Sequence, residues 1–166
     1  VAEAVRGGVT CVQLREKHAE GRAYYERAMA LRERLRPLGI PLIINDRLDI
    51  ALAIGADGVH LGQGDLPCAE ARRIAGPNLL IGISVSTVAE AQAAARDGAD
   101  YLGISPIFDT PTKTDTPVAT GLDGLRAIRA AVPLPLVAIG GINAENAAEV
   151  LRAGADGIAV VSAIMA

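Results

Sequence analysis

Two cations, two carboxylates and a pair of glycines each follow apolar segments of this 166-residue chain. Arg15 and Lys17 alternate with Glu16, so both cations lie on one side of an extended segment. A forked guanidinium beside an ammonium suits a diphosphate group. A solvated, charged turn explains this one motif equally well.

Asp46 and Asp65 follow the apolar segments in IINDR and GVHLGQGD. Two carboxylates from neighbouring strands can share a Mg²⁺ ion, whose remaining positions take water and phosphate oxygens. Taken singly, Asp65 is better explained as a cap of the helix that follows Pro67, and Asp46 as a cap or the partner of Arg47. Together with cations at the same edge, the two aspartates favour the magnesium interpretation.

Two further segments suit anions. The pair Gly140-Gly141 ends an apolar segment and would let backbone N–H groups approach a phosphate, although a tight turn alone would also explain it. The polar segment Asp109–Pro117 has neither helical nor strand periodicity and places threonines around Lys113. Long loops in compact domains are often functional, so this one is expected to bind phosphate or close over a substrate. A flexible excursion is the alternative.

Composition excludes several classes of protein. The net charge of −3 argues against a surface that binds nucleic acids in general. With one Phe, three Tyr and no Trp, the chain also has few aromatic side chains on which the bases of a single strand could stack. The apolar runs are all shorter than the roughly 18 residues of a membrane span. Cys11 and Cys68 have neither metal nor redox spacing, so a reducing cytoplasm is the expected location.

A repeated unit organises the chain. Gly-Ala-Asp precedes an apolar segment three times, at Gly55, Gly98 and Gly154, which indicates one helix-to-strand unit used repeatedly. The predicted strands are Cys11–Arg15, Leu42–Asn45, Gly58–Leu61, Leu80–Ser84, Tyr101–Ser105, Leu136–Gly140 and Gly157–Val161. The predicted helices are Arg22–Arg36, Asp49–Ile54, Pro67–Ala75, Val88–Asp97, Leu122–Ala131 and Ala144–Ala153, with Thr87 and Glu90 as a capping box and Asn143 as an N-cap.

This alternation predicts the α/β class, as either a closed barrel or an open doubly wound sheet. An open sheet would carry a glycine-rich loop after its first strand, and QLREK stands there instead. A TIM (β/α)8 barrel has eight strands and usually more than about 200 residues. We therefore expect one barrel domain over residues 1–166, incomplete at both ends, with its first strand and last helix missing.

The motifs QLREK, IINDR, GVHLGQGD, GIS, FDTPTK, AIGGI and ADGIAVVSAI occur in this order, and the chain from about Val9 onward closely resembles thiamine phosphate synthases. The resemblance implies a TIM barrel and a magnesium-dependent transferase. Such enzymes join hydroxymethylpyrimidine diphosphate to thiazole phosphate and release diphosphate. The implied partners are these two small molecules, with no nucleic acid and no membrane. Whether copies assemble into a homo-oligomer is left open.

The resemblance also implies a role for each matching residue. It assigns Mg²⁺ to Asp46 and Asp65, and stabilisation of the leaving diphosphate to Arg15, Lys17 and Lys113. Residues implied to bind the pyrimidine diphosphate are Gln13, Arg15, Lys17, Asn45, Ser84 and Lys113. Residues implied to bind the thiazole phosphate are Thr110, Thr112, Gly141, Val161 and Ser162.

Two other functions compete with this one. A related thiazole tautomerase shares the barrel, but lacks the cations and threonine–lysine loop and uses a histidine near the GIS segment, where this chain has Ser84-Val85-Ser86-Thr87. The retained Arg15, Lys17 and Lys113 favour the synthase. A phosphate-binding barrel without catalytic activity is the third hypothesis.

Overall fold

The computed structural model describes residues 1–108 and 119–165. It divides into two compact units, residues 1–81 and 82–166. The strands of the described ranges are β1 Val12–Leu14, β2 Leu42–Asn45, β3 Gly58–Leu61, β4 Leu80–Val85, β5 Tyr101–Ile104, β6 Leu136–Ile139 and β7 Gly157–Ala159. The helices are α1 Ala2–Arg6, α2 Gly21–Leu35, α3 Leu48–Ile54, α4 Cys68–Ala75, α5 Val88–Arg96, α6 Gly121–Ala131, α7 Ala147–Arg152 and α8 Ser162–Met165, and a 3-10 turn spans Arg36–Leu38.

In the first unit, β1, β2 and β3 pair in parallel. Leu14 lies opposite Ile44, and Asn45 lies opposite His60. Every residue of β2 and β3 is buried, as expected for a parallel strand covered on both faces. Because the strands run in one direction, the residues that follow β1, β2 and β3 meet at one edge of the sheet.

In the second unit, β5 pairs in parallel with β4 and with β6, and β6 pairs with β7. Ser84 lies opposite Gly103, and Ile139 lies opposite Ala159. The segments after β6 and β7 therefore leave the sheet side by side. Each unit is α/β with parallel strands, and the predicted strands all occur, with ends that differ by no more than two residues.

The Gly-Ala-Asp repeat has a structural cause. Asp57 Oδ2 accepts a hydrogen bond of 2.8 Å from the amide of Leu42, while the Asp57 amide donates to the Leu42 carbonyl over 3.1 Å. Asp156 makes the same pair of bonds with Leu136, at 2.8 and 2.9 Å. Gly55 ends α3 in the left-handed conformation at φ 62°. The motif thus ends a helix and joins the start of one strand to the start of its neighbour.

The two predicted helix caps differ in outcome. Thr87 and Glu90 form the capping box of α5, with Thr87 Oγ1 accepting from the Glu90 amide over 3.2 Å. Asn143 makes the side-chain bonds expected of an N-cap, with its Oδ1 accepting from the amides of Glu145 and Asn146 over 3.0 and 3.2 Å. The predicted start of α7 is wrong, because the regular helix begins three residues later than expected, after Asn146.

We predict that Asp57→Ala lowers the free energy of unfolding by about 1–2 kcal/mol, because the Leu42 amide loses its carboxylate acceptor. Denaturant unfolding followed by circular dichroism measures this loss. Asp57→Asn is the matched control, since its amide oxygen can still accept and should retain part of the stability. Equal losses in both variants would contradict the assigned bond.

Candidate active site

The backbone at Asp46 adopts a conformation that non-glycine residues rarely take. Its φ is +65°, and among non-glycine residues of the described chain Asp46 is the one with positive φ. The Asp46 amide donates to the His60 carbonyl over 2.8 Å, and the Arg47 amide turns back to the Asn45 carbonyl over 2.8 Å. The chain therefore makes a tight three-residue turn at the end of β2, with Asp46 at its centre.

This turn brings the carboxyl groups of Asp46 and Asp65 into hydrogen-bond contact. Burial raises the pKa of the Asp46 carboxyl, and the hydrogen bond and negative charge of Asp65 raise it further. The positive charges of Arg15 and Lys17 act on that pKa in the opposite direction. A cation bound between the two carboxyl groups would offset their mutual repulsion, so the pair is a place where a divalent cation can bind.

The alternatives for these aspartates are not observed. Asp65 Oδ2 accepts from the Gly62 amide over 2.6 Å, which closes the turn after β3, while α4 begins after Pro67 with no side-chain cap. Arg47 binds Asp49 through two hydrogen bonds of 2.8 and 2.6 Å. Arg47 thus pairs with Asp49 and leaves Asp46 to other contacts, and Asp65 stabilises the turn before α4 without capping that helix.

Three predicted substrate-binding residues lie at or just after β1. Gln13, on β1, and Arg15 and Lys17, which follow it, are all exposed. Arg15 and Lys17 are near enough to Asp46 for their charges to lower its pKa. The first unit therefore brings the predicted cations to the predicted metal ligands.

A cavity of about 270 Å³ adjoins this cluster. Its lining residues are Glu16, Lys17, Ala19, Tyr24, Asn45, Asp46 and Arg47. Asn45 and His60, which lie opposite each other, are the two buried polar residues of the described chain. The buried polarity of the first unit is concentrated where β2 and β3 end.

Tyr24, Glu16 and Arg47 also line this cavity, although the sequence analysis assigned them no role in the site. Glu16 binds Arg27 over 2.8 Å. Burial raises the pKa of Tyr24 to about 12, so its hydroxyl remains a hydrogen-bond donor at neutral pH. A tyrosine four residues before Ala28 on the buried face of α2 was the available signal, because a buried phenol needs a polar partner.

The second unit contains the glycine turn. Gly140 and Gly141 have φ of 105° and 65°, and a Cβ on Gly140 would lie 2.8 Å from the Cβ of Pro106. Asn146 Nδ2 donates to the Gly141 carbonyl over 2.9 Å, and its Oδ1 accepts from the Asn143 amide over 2.9 Å. Glycine is therefore required at position 140 by both backbone conformation and space.

The described residues on either side of 109–118 are held close to this turn. The Phe108 amide donates to the Gly140 carbonyl over 3.1 Å, and the Thr120 amide donates to the Pro106 carbonyl over 2.8 Å. Thr110, Thr112 and Lys113 lie outside the described residues. Ser84 is half-buried on β4, whereas Gly141, Val161 and Ser162 are exposed beyond β6 and β7.

The donor set suits a hard divalent cation. Within residues 1–108 and 119–165, no group of three or more His, Cys, Asp or Glu side chains is placed to hold a metal. Mg²⁺ is commonly bound by one or two carboxylates, with water and phosphate oxygens at its remaining coordination positions, and Asp46 and Asp65 match this pattern. A structural zinc site would need four Cys, His or carboxylate ligands.

The sequence model for "Thiamine monophosphate synthase" matches residues 1–164. The chain belongs to the thiamine monophosphate synthase family. It is 60% identical over its whole length to the thiamine-phosphate synthase of Chloroflexus aurantiacus, covering 76% of that protein, and equally similar to that of Albidiferax ferrireducens. The solved thiamine phosphate pyrophosphorylase from Pyrococcus furiosus matches with a TM-score of 0.90 and 48% identity, over 98% of this chain and 78% of that one.

These similarities confirm the family resemblance, the fold class of a TIM-type α/β barrel and the assignment as a thiamine-phosphate synthase, a transferase. Eight curated relatives that share this name are 50–60% identical to the chain. No helix in the part of the chain that the structure describes is long and apolar enough to cross a bilayer. The roles of individual site residues remain predictions.

We predict that Asp46→Gly is more stable than Asp46→Ala by about 1 kcal/mol, because a Cβ disfavours the left-handed conformation at this position. Both changes remove the carboxylate, so the comparison isolates the backbone. Denaturant titration of the two variants gives the difference in free energy of unfolding.

The same pair of changes at Asp49 is the control. Asp49 lies in the first turn of α3, where glycine should instead be the less stable residue by about 0.5–1 kcal/mol. If the sign of the difference were the same at both positions, the positive φ of Asp46 would be refuted.

Proposed function

We propose that this chain couples hydroxymethylpyrimidine diphosphate to thiazole phosphate, forming thiamine phosphate and releasing diphosphate. The observation that carries the proposal is the Asp46–Asp65 carboxyl pair, which lies within reach of the positive charges of Arg15 and Lys17 and beside a cavity that Lys17 and Asp46 line. The family's name and the identity of 60% to named synthases support it.

The diphosphate of the pyrimidine substrate is assigned to the first unit. Arg15 and Lys17 are exposed cations near Asp46 and would bind its oxygens, together with Gln13. Asn45 would contact the diphosphate at the end of β2. The family pattern alone adds Ser84 and Lys113, which lie outside the first unit.

Asp46 and Asp65 would hold Mg²⁺ through their carboxylates. When bound, the ion neutralises charge on the diphosphate and so makes it a better leaving group. The strained turn at Asp46 and the Gly62 amide on Asp65 fix the two carboxylates before substrate arrives. Such preorganisation avoids the cost of arranging ligands during the reaction.

The reaction requires charge stabilisation and alignment, with little acid–base chemistry. The bond between the pyrimidine methylene carbon and the diphosphate oxygen breaks, and its electron pair leaves with the diphosphate. The methylene cation is then attacked by the thiazole nitrogen, which forms the new C–N bond. Arg15, Lys17 and Lys113 would stabilise the departing charge, and the site would align the two partners.

The thiazole phosphate is assigned to the second unit. Gly141 follows β6, and Val161 and Ser162 follow β7, the strand paired with β6. Backbone amides after two adjacent strands commonly bind a phosphate in barrels. Thr110 and Thr112 are assigned to the same phosphate. The attachment of Phe108 to Gly140 supports this, since the chain enters the 109–118 segment beside the glycine turn.

The free cysteines Cys11 and Cys68 support a cytoplasmic location, where thiols stay reduced. The proposed partners are two small phosphorylated molecules.

Two competing functions make different predictions in one assay. Purified protein is mixed with both substrates and Mg²⁺, and diphosphate release is followed by a coupled pyrophosphatase assay. Release that requires both substrates supports the synthase. Isomerisation of a thiazole carboxylate phosphate without diphosphate release would establish the tautomerase, and tight thiazole phosphate binding without either reaction would establish a binding protein.

We predict that Asp65→Asn raises the Mg²⁺ concentration for half-maximal rate by at least about 100-fold, since a charged ligand is lost. Steady-state rates across a magnesium titration measure the effect. Asp123→Asn is the control, because Asp123 is a fully exposed aspartate that pairs with Arg126 on α6. An unchanged magnesium dependence in Asp65→Asn would remove Asp65 from the metal site.

Lys113→Ala should lower kcat by about 10²–10³-fold, because a cation that stabilises the leaving diphosphate is removed. The KM values for both substrates should change much less than kcat. Single-turnover measurement separates the chemical step from product release. A Lys113→Ala enzyme with a normal single-turnover rate would show that this lysine has no part in diphosphate departure.

A further inference from the structure

The hydroxyl of Tyr24 connects three elements of the first unit. Tyr24 lies on α2 and is only 2% exposed. Its hydroxyl oxygen lies 2.8 Å from the Leu14 carbonyl oxygen and 3.0 Å from the Asn45 carbonyl oxygen. A phenol has one hydrogen, so the two carbonyls share it as a three-centre bond.

Each of these two carbonyls belongs to the residue just before a predicted site residue. Leu14 is the last residue of β1 and is followed by Arg15, while Asn45 is the last residue of β2 and is followed by Asp46. The Tyr24 hydroxyl therefore holds the two strand ends together at the peptide bonds that carry the predicted cation and the predicted metal ligand.

The Asn45 carbonyl is also the acceptor that closes the strained turn. It accepts from the Arg47 amide over 2.8 Å, with Asp46 between them at φ +65°. Such conformations persist only where the surroundings hold them. The Arg47 bond is internal to the turn, whereas the Tyr24 bond comes from a separate helix. Tyr24 thus anchors the turn to a rigid element.

We propose that Tyr24 is a positioning residue, whose hydroxyl holds the Asp46 turn and the Arg15 strand end in the geometry that binds a divalent cation. This inference rests on the proposed function, in which Asp46 and Asp65 bind Mg²⁺. A tyrosine present only for packing would be replaceable by phenylalanine at no cost to metal affinity, and this difference makes the proposal testable.

The test is Tyr24→Phe, which removes one oxygen and keeps the ring. We expect the dissociation constant for Mn²⁺, used as a spectroscopic substitute for Mg²⁺, to rise about 10-fold, as is typical when a group that orients a metal ligand is lost. Electron paramagnetic resonance of free Mn²⁺, with protein and no substrate, measures this constant independently of turnover. Tyr25→Phe is the matched control, because Tyr25 is the next residue on α2 and is 38% exposed.

The outcomes separate this inference from the proposed function. Weaker Mn²⁺ binding in Tyr24→Phe, with Tyr25→Phe equal to wild type and both variants folded by circular dichroism, supports the role of Tyr24. Unchanged Mn²⁺ affinity in Tyr24→Phe, in a wild-type enzyme that releases diphosphate, overturns that role and leaves the proposed function intact. A wild-type protein that binds no Mn²⁺ also overturns it, whatever the diphosphate assay shows.

A second measurement needs no substitution, and so remains decisive if Tyr24→Phe does not fold. Amide hydrogen exchange of the wild-type protein is compared with and without Mg²⁺. Because Tyr24 connects the Asp46 turn to β1, Mg²⁺ should slow exchange in residues 12–16 as well as around Asp46 and Asp65. Protection confined to the two aspartate segments would overturn the proposed connection.

Discussion

The pairing of β2 with β3 is the constraint on which the rest of the candidate site depends. It sets Asn45 opposite His60, so the next amide, that of Asp46, bonds to the His60 carbonyl and the chain must turn sharply to enter α3. That turn brings the Asp46 carboxyl to Asp65, which follows β3. A slip of one residue in this pairing would send Asp46 to the opposite face of the sheet and separate the two carboxyl groups.

The contact between the Asp46 and Asp65 carboxyl groups opposes folding, and this cost points to a function. Two carboxyl groups in contact, one of them in a strained backbone conformation, are unfavourable for folding unless something offsets them. Arg15 and Lys17, which follow β1, do so in part, and a divalent cation would do so more completely. Local arrangements that oppose stability are expected at functional sites, because selection there acts on binding and rate.

The two units differ in the groups that could contact an anion. In the first, the charged side chains of Glu16, Lys17, Asp46 and Arg47 line a cavity. In the second, the glycine turn exposes backbone at positions where a Cβ would clash with Pro106 or require an unfavourable φ, and Asn146 holds the turn through the Gly141 carbonyl. Side-chain cations suit a diphosphate that must leave, whereas a fixed backbone cradle suits a phosphate that stays attached to its molecule.

The amino-acid sequence by itself determined the fold class, the strands and the candidate cations and carboxylates. The bounds of β2 and β3 could be predicted because continuous apolar runs between Gly, Pro and Asp signals encode a buried parallel strand locally. The late start of α7 could not be predicted, because it depends on a turn in which the side chains of Asn143 and Asn146 each bond to the other's backbone amide. The contact of Asp46 with Asp65, and the bridge from Tyr24 to Leu14 and Asn45, were decided only by the tertiary structure. Such contacts join residues that are 10 to 21 positions apart in sequence, so their geometry follows from strand register and helix packing, which periodicity does not specify.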